Sequence, residues 1–435
     1  MKLRVRPARR LTGHAEVPGD KSISHRAALL GALAHGVTEV HGYLEAEDCL
    51  RTITAIEALG VGVTRKGPGE FRIAGAGLRG LTEPSDVIDC GNSGTTSRLL
   101  LGVLAGQPFW TMLTGDASLR RRPMGRVADP LRRMGATVVG RGDGAKLPLA
   151  VRGADHVTAI AYTLPVASAQ LKSAILLAGL YADGPVTITE PAASRDHSER
   201  MLRRFGARVE TARGTVRILP SKLAATTVRV PGDISSAAFL LAAALVTAGS
   251  RVTIDAVGLN PTRTGLLDVL DEMGAKLDIV GAETDDEPIG SITVSASELR
   301  GASVGGALIP RLIDEVPALA VVAAVASGRT EIRDAAELRV KESDRIAAIA
   351  RGLGAMGARV SERPDGMVIE GGARLRGAHV SSGGDHRLAM ALAVAGLVAE
   401  GETIVDDTAC IETSFPRFAE TINAMTGEPS LVTEA

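Results

Sequence analysis

Six times along the chain a short polar stretch opens a run of Ala, Leu, Val and Ile that has no polar face, and each run closes near a glycine. The six segments begin at Ser24, Asn92, Ser168, Ser235, Asp314 and Asp385 and close at Gly36, Gly106, Gly184, Gly249, Gly328 and Gly401. Helices as uniformly apolar as Phe239-Leu-Leu-Ala-Ala-Ala-Leu-Val or Ala318-Leu-Ala-Val-Val-Ala-Ala-Val must be buried on every side. A strand-like run follows each. Every unit but the last continues into a second, charge-bearing helix that stops at Gly60, Gly135, Gly206, Gly274 or Gly357, where glycine just past a helix end serves as a left-handed cap. The sixth copy is expected to trail into Phe418–Met425 and stop. A unit recurring at this spacing identifies an architecture built from repeats. It predicts three buried helices per domain, wrapped by strands, in an α/β fold.

The near-duplicate segments Val17-Pro-Gly-Asp20 and Val230-Pro-Gly-Asp233 precede copies one and four, and Pro-Gly suits a connection better than an element interior. They divide the chain into one three-repeat domain over 21–230 and a second comprising 1–20 plus 231–435. Length agrees, since 435 residues are too many for a single core. With 2% aromatic residues and 50 glycines, the cores have to be made of small aliphatic side chains packed closely.

Composition excludes several classes of function. A formal net charge of -1 and the scarcity of aromatics argue against nucleic acid, which calls for a basic field and stacking platforms. Cys49, Cys90 and Cys410 are widely spaced and odd in number, so neither a disulfide framework nor a zinc site is expected, and a reducing cytoplasm fits. Met1–Arg10 is arginine-rich but no apolar stretch of signal-peptide type follows, and no run is long enough to span a membrane.

Candidate chemistry clusters at the polar starts of the buried helices, where unpaired N–H groups and the positive dipole end favour anions. Gly19-Asp-Lys-Ser-Ile-Ser-His-Arg26 gathers Lys21, Ser22 and Arg26, though it reads equally as a capping turn. Asp89-Cys-Gly-Asn-Ser-Gly-Thr-Thr-Ser-Arg98 has the glycines of an anion loop, Gly91 and Gly94, or of an ordinary turn. Arg120-Arg-Arg-Pro-Met124 taken alone is a solvated charge run. Ser168-Ala-Gln170 and Ser194-Arg-Asp196 add a hydroxyl, an amide and a guanidinium. In Glu337-Leu-Arg-Val-Lys-Glu-Ser-Asp-Arg345 the spacing brings Lys341, Glu342 and Arg345 to one helix start, with Ser343 or Asp344 as cap. Asp314, before Val316-Pro317, opens an otherwise apolar helix, and Gly384-Asp-His-Arg387 opens the sixth.

Taken in order, Gly-Asp-Lys-Ser-x-Ser-x-Arg, Gly-Asn-Ser-Gly-Thr-Thr-x-Arg, Arg-Pro-Met, Ser-Ala-Gln, Arg-Val-Lys-Glu-Ser-Asp-Arg and Asp-His-Arg-x-Ala-Met resemble the signature segments of the 5-enolpyruvylshikimate-3-phosphate synthases, from about Gly19 to Pro416. The resemblance implies a two-domain inside-out α/β barrel of six βαβαββ-type repeats, the enolpyruvyl transferase fold, with the active site in the cleft between domains that close over the substrates. It implies transfer of the enolpyruvyl group of phosphoenolpyruvate to the 5-hydroxyl of shikimate 3-phosphate, with release of phosphate, by a cytoplasmic monomer that uses no cofactor or metal and binds neither nucleic acid nor membrane. Carried onto this sequence, it assigns shikimate 3-phosphate to Lys21, Ser22, Arg26, Ser168, Ala169, Gln170, Arg195, Asp314 and Lys341. Phosphoenolpyruvate goes to Lys21, Gly94, Arg122, Gln170, Arg345 and Arg387. Asp314, Glu342 and Lys21 become the catalytic groups, and room beside Gly94 implies competition by glyphosate.

Two positions depart from the pattern of some members. Ile411-Glu-Thr-Ser-Phe-Pro416 lacks a lysine, and Glu337 stands where an asparagine is expected, so one cation and one shikimate-side contact are altered. The related UDP-N-acetylglucosamine enolpyruvyl transferases differ more, being expected to carry Lys-Asn at Lys21-Ser22 and a cysteine in a mobile loop. A non-catalytic relative is expected to have lost Lys21, Asp314 or Glu342, and all three are present.

Overall fold

The structure, a computed structural model, describes residues 1–282 and 286–434. All six uniformly apolar segments are helices, Lys21–Leu33, Gly94–Leu104, Ala169–Gly179, Ile234–Val246, Val316–Val325 and His386–Gly396, here called the first to sixth core helices. Their lack of a polar face has the expected consequence. Every residue of the fourth is buried except Val246, and every residue of the fifth except Val325. Five of the six begin at a side-chain cap: Asp20, Ser93, Ser168, Asp233 and Asp385 each accept a backbone N–H of the first turn. The fifth starts instead with Pro317 near its first turn, where no N–H is needed.

The chain divides into two compact units, one of Gly19–Val230 with Asp285–Glu287 and the other of Met1–Pro18, Pro231–Thr284 and Pro288–Ala435. The crossings at Pro18/Gly19 and Val230/Pro231 fall inside the Val-Pro-Gly-Asp segments, with Gly19 and Asp20 on the side of the first core helix. Each unit has its own hydrophobic core around three core helices.

Among the described residues six sheets lie around these helices, and the one formed by copy two illustrates the plan. Its spatial order is Ile88–Asp89, Trp110–Thr114, Leu149–Arg152 and Thr137–Gly140, the first pair parallel and the others antiparallel. The glycines after the second helices have φ of +87°, +101°, +89°, +93° and +97° at Gly60, Gly135, Gly206, Gly274 and Gly357, the left-handed cap that their positions predicted.

The sixth copy does not stop at Met425. A strand at Leu431–Glu434 follows, and Lys2–Val5 pairs antiparallel with both it and Thr403–Asp406. The two ends of the chain thus complete the last unit together, satisfying backbone groups that a truncated copy would leave as an open edge.

Candidate active site

Within the Gly19–Val230 unit, three helix starts carry the predicted groups. Lys21 is the first residue of the first core helix, and its ammonium is ion-paired with the buried Asp48 at the start of the helix Glu47–Ala58. One turn on, Arg26 is enclosed by protein. Its Nε donates to Ser198 Oγ at 2.6 Å, Nη2 to Ser173 Oγ at 2.6 Å and Nη1 to the backbone oxygen of Ser22 at 2.8 Å. Burial pushes this guanidinium down to about 10, still charged at neutral pH, while Glu199 and Asp20 favour the charge. Arg26 therefore fixes the backbone at Ser22 and ties three helices together.

Gly94 begins the second core helix, capped by Ser93. A Cβ at Gly94 would lie 2.7 Å from Arg98 Nη1 and 3.4 Å from Arg122 Nη1, so two guanidinium groups border this helix start. Arg122 is held by Asn92, Nη2 donating to Oδ1 at 2.7 Å. Arg98 Nη1 donates to Gln170 Oε1 at 2.8 Å, and Gln170 Nε2 donates to Thr95 Oγ1 at 3.0 Å. The second and third core helices are thus joined by Gln170, with Ser168 as the cap and Ala169 as the first residue of the third. Arg195 is half-buried, near enough to Arg26 to oppose its charge.

In the other unit the remaining predicted residues converge on one guanidinium. Arg345 is fully buried. It donates from Nη1 to Asp314 Oδ1 at 3.1 Å, from Nη2 to Glu342 Oε2 at 2.7 Å and from Nε to Asp385 Oδ2 at 2.9 Å. Burial works against the charge of Arg345, and the carboxylates of Asp385, Glu342 and Asp314 more than overcome it. Asp385 is correspondingly held low, burial being outweighed by Arg345. Lys341 Nζ lies 3.6 Å from Asp314 Oδ1, and Arg387 Nη1 donates to the Asp314 backbone oxygen at 3.1 Å. Three cations and three carboxylates therefore meet around the Arg345–Asp314 pair, and two candidate acid/base groups share one buried cation.

Every predicted site residue falls in one of these two assemblies. Sequence reasoning missed the groups that hold them: Asp48, Arg98, Asn92, Asp385 and the Ser173–Ser198 pair. Arg98 had a signal, lying four residues after Gly94 on the same helix and hence over the same turn.

The comparisons with known proteins give one answer. Residues 5–422 match the family described as EPSP synthase (3-phosphoshikimate 1-carboxyvinyltransferase). A protein of Desulforudis audaxviator named 3-phosphoshikimate 1-carboxyvinyltransferase is 55% identical over 427 residues, covering 98% of this chain and 99% of the relative. One of Pelotomaculum thermopropionicum with the same name is 56% identical over 422 residues, 97% and 98% of the two chains. A solved structure of EPSP synthase from Acinetobacter baumannii superposes with a TM-score of 0.89 at 43% identity, covering 100% of both chains. No helix among the described residues is long and apolar enough to cross a membrane.

Proposed function

We propose, for a chain that belongs to the EPSP synthase family of 3-phosphoshikimate 1-carboxyvinyltransferases, that Asp314, Glu342 and Lys21 carry the proton transfers of its reaction. The reaction is transfer of the enolpyruvyl group of phosphoenolpyruvate to shikimate 3-phosphate in the shikimate pathway that leads to aromatic amino acids. The observation that carries the assignment is the pair of carboxylates, Asp314 and Glu342, on the single buried guanidinium of Arg345.

Shikimate 3-phosphate is held by Lys21, Ser22, Arg26, Ser168, the backbone at Ala169, Gln170, Arg195, Asp314 and Lys341. Phosphoenolpyruvate lies against Lys21, Gly94, Arg122, Gln170, Arg345 and Arg387. Two substrates rich in phosphate and carboxylate charge repel one another, and fixed cations on both assemblies offset that repulsion. Glu342 delivers a proton to C3 of phosphoenolpyruvate, which leaves C2 cationic in character. The 5-hydroxyl of shikimate 3-phosphate attacks C2, and Asp314 accepts its proton. Collapse of the tetrahedral intermediate then breaks the C2–O bond to phosphate, a methyl proton returns to the protein, and Lys21 assists proton transfer at the departing phosphate. A positioned acid/base pair supplies about 10²- to 10⁴-fold in rate, and positioning and charge stabilisation supply the rest.

The near-zero net charge and the scarcity of aromatics speak against a nucleic-acid partner, and three widely spaced cysteines fit a reducing cytoplasm. The test is phosphate release by the purified protein from phosphoenolpyruvate with shikimate 3-phosphate, and separately with UDP-N-acetylglucosamine, as acceptor. Release with shikimate 3-phosphate alone is expected. Release with the sugar nucleotide alone overturns the acceptor assignment, and silence with both overturns the catalytic reading.

A further inference from the structure

Lys172 is the one charged residue of the third core helix, Ala169–Gly179, and only 1% of its side chain is exposed. Its ammonium lies 2.9 Å from Glu190 Oε2 and 2.6 Å from Glu199 Oε1, and donates to the backbone oxygen of Ser194 at 3.4 Å. Ser194 Oγ in turn donates to Glu190 Oε1. Glu190 and Glu199 expose 6% and 2% of their side chains. A buried ion pair of this kind is rarely a net source of stability, because apolar residues of similar volume serve as well. Its position suggests what it does instead. Lys172–Glu199 and Ser173–Ser198 are successive links between the third core helix and the helix His197–Arg204, and Arg26 donates to both serines of the second link. The segment spanned by Glu190, Ser194 and Ser198 carries Arg195, while Ser168, Ala169 and Gln170 head the helix that Lys172 belongs to.

Charge makes the arrangement selective. Lys172 is the cation in contact with both Glu190 and Glu199, and the side chains of all three are buried. Without Lys172, Glu190 and Glu199 lose the cation that contacts both, and the uncompensated negative charge lies beside the residues assigned to the anionic acceptor. Burial already raises Glu199, a sign of how little further negative charge the layer tolerates.

We infer that Lys172 is a positioning residue for shikimate 3-phosphate: by balancing Glu190 and Glu199 it holds the Arg195 segment against the start of the third core helix. The inference rests on the assignment of Arg195 and the Ser168–Gln170 helix start to that substrate. Arg195, on the segment Lys172 holds, is assigned to shikimate 3-phosphate alone, so the larger effect falls on that substrate.

Steady-state phosphate release, with each substrate varied in turn, tests it on Lys172→Met, Lys172→Met/Glu199→Gln and Arg195→Ala. In Lys172→Met the KM for shikimate 3-phosphate should rise about tenfold, the scale of one uncompensated charge at this range, with kcat and the KM for phosphoenolpyruvate within about twofold of wild type. The double variant loses one cation and one carboxylate, and its KM should return to within about threefold of wild type. Arg195→Ala should raise the same KM. If Arg195→Ala raises it and Lys172→Met does not, the inference fails and the site assignment stands; if Arg195→Ala leaves it unchanged, both fall. A loss of kcat with both KM values unchanged would mark Lys172 as purely structural and overturn the inference. Should Lys172→Met yield no folded protein, the double variant carries the test: a near-wild-type KM supports charge balance, and a KM about tenfold higher overturns it.

Discussion

Gly94→Ala probes the most tightly specified contact of the phosphoenolpyruvate side. The added Cβ would meet Arg98 Nη1 at 2.7 Å, and reaching an ordinary separation of ~3.5 Å requires that nitrogen to retreat by roughly 0.8 Å. Arg98 Nη1 donates to Gln170 Oε1 at 2.8 Å, so a retreat along that direction takes the bond beyond hydrogen-bonding range. Gln170 is then held by Thr95 alone. A charge-assisted hydrogen bond in a buried setting is worth about 1.5–3 kcal/mol, which sets a rise in the KM for phosphoenolpyruvate of roughly tenfold or more. The fold should survive, because the clash is with the end of a flexible side chain and Gly94 needs no left-handed backbone. The assay is initial-rate phosphate release at saturating shikimate 3-phosphate, with glyphosate inhibition constants measured on the same preparations. The Cβ occupies the space beside Gly94, so inhibition should weaken as well. An unchanged KM for phosphoenolpyruvate together with unchanged inhibition would refute the reasoning.

Asp314→Asn and Glu342→Gln keep a hydrogen-bond acceptor for Arg345 but remove the proton-transfer function, so each should lower kcat by about 10²- to 10⁴-fold. Retention of activity within about tenfold would exclude that residue from the acid/base role. His25 is buried, with Nδ1 2.7 Å from Thr52 Oγ1, and burial first, then Lys21 and Arg26, holds it well below its ordinary 6.5. The unfolded chain takes up a proton that the folded one refuses, so this stability is present above pH 6.5 and is lost as pH falls below it, by up to about 1.4 kcal/mol per pH unit. Urea unfolding between pH 7.5 and 5.5 should accordingly show a shallower decline in His25→Asn, and parallel declines in the two proteins would contradict it. Gly102→Ala places a Cβ 2.3 Å from the backbone oxygen of Ala174, where the second and third core helices touch, and overpacking should cost about 1–3 kcal/mol. A thermal midpoint equal to wild type would show that the helices part without strain.

The core helices were legible because burial on every side leaves a composition that neither a surface helix nor an exposed strand shares, and the segment Ala318–Val325 says as much without any coordinates. The glycine caps were legible for a similar reason, since few other residues accept φ near +90° as Gly274 does. The final sheet was not legible. Lys2–Val5 carries no mark that pairs it with Thr403–Asp406 and Leu431–Glu434, because strand partners are chosen by the assembled fold and short apolar runs are interchangeable at that level. In the site, the motif residues stood out but their supports did not. Asp385 reads only as part of a helix start and Asp48 carries no mark at all, and the structure pairs them with Arg345 and Lys21.

Those supports bear on how the proton-transfer groups are set. Asp314, Glu342 and Asp385 already lie against Arg345, Lys341 and Arg387, so an anion that reaches these cations enters among carboxylates. An arriving carboxylate or phosphate competes with these carboxylates for the same cations, and every new negative charge raises the proton affinity of those it displaces. Asp385 is the worst placed to accept a proton, being buried, capping the sixth core helix and bonded to Arg345 through both oxygens. Glu342 is more exposed and meets Arg345 through Oε2. Of Asp385 and Glu342, Glu342 is therefore the carboxylate more open to exchange with an incoming anion, which accords with its proposed role as donor to C3.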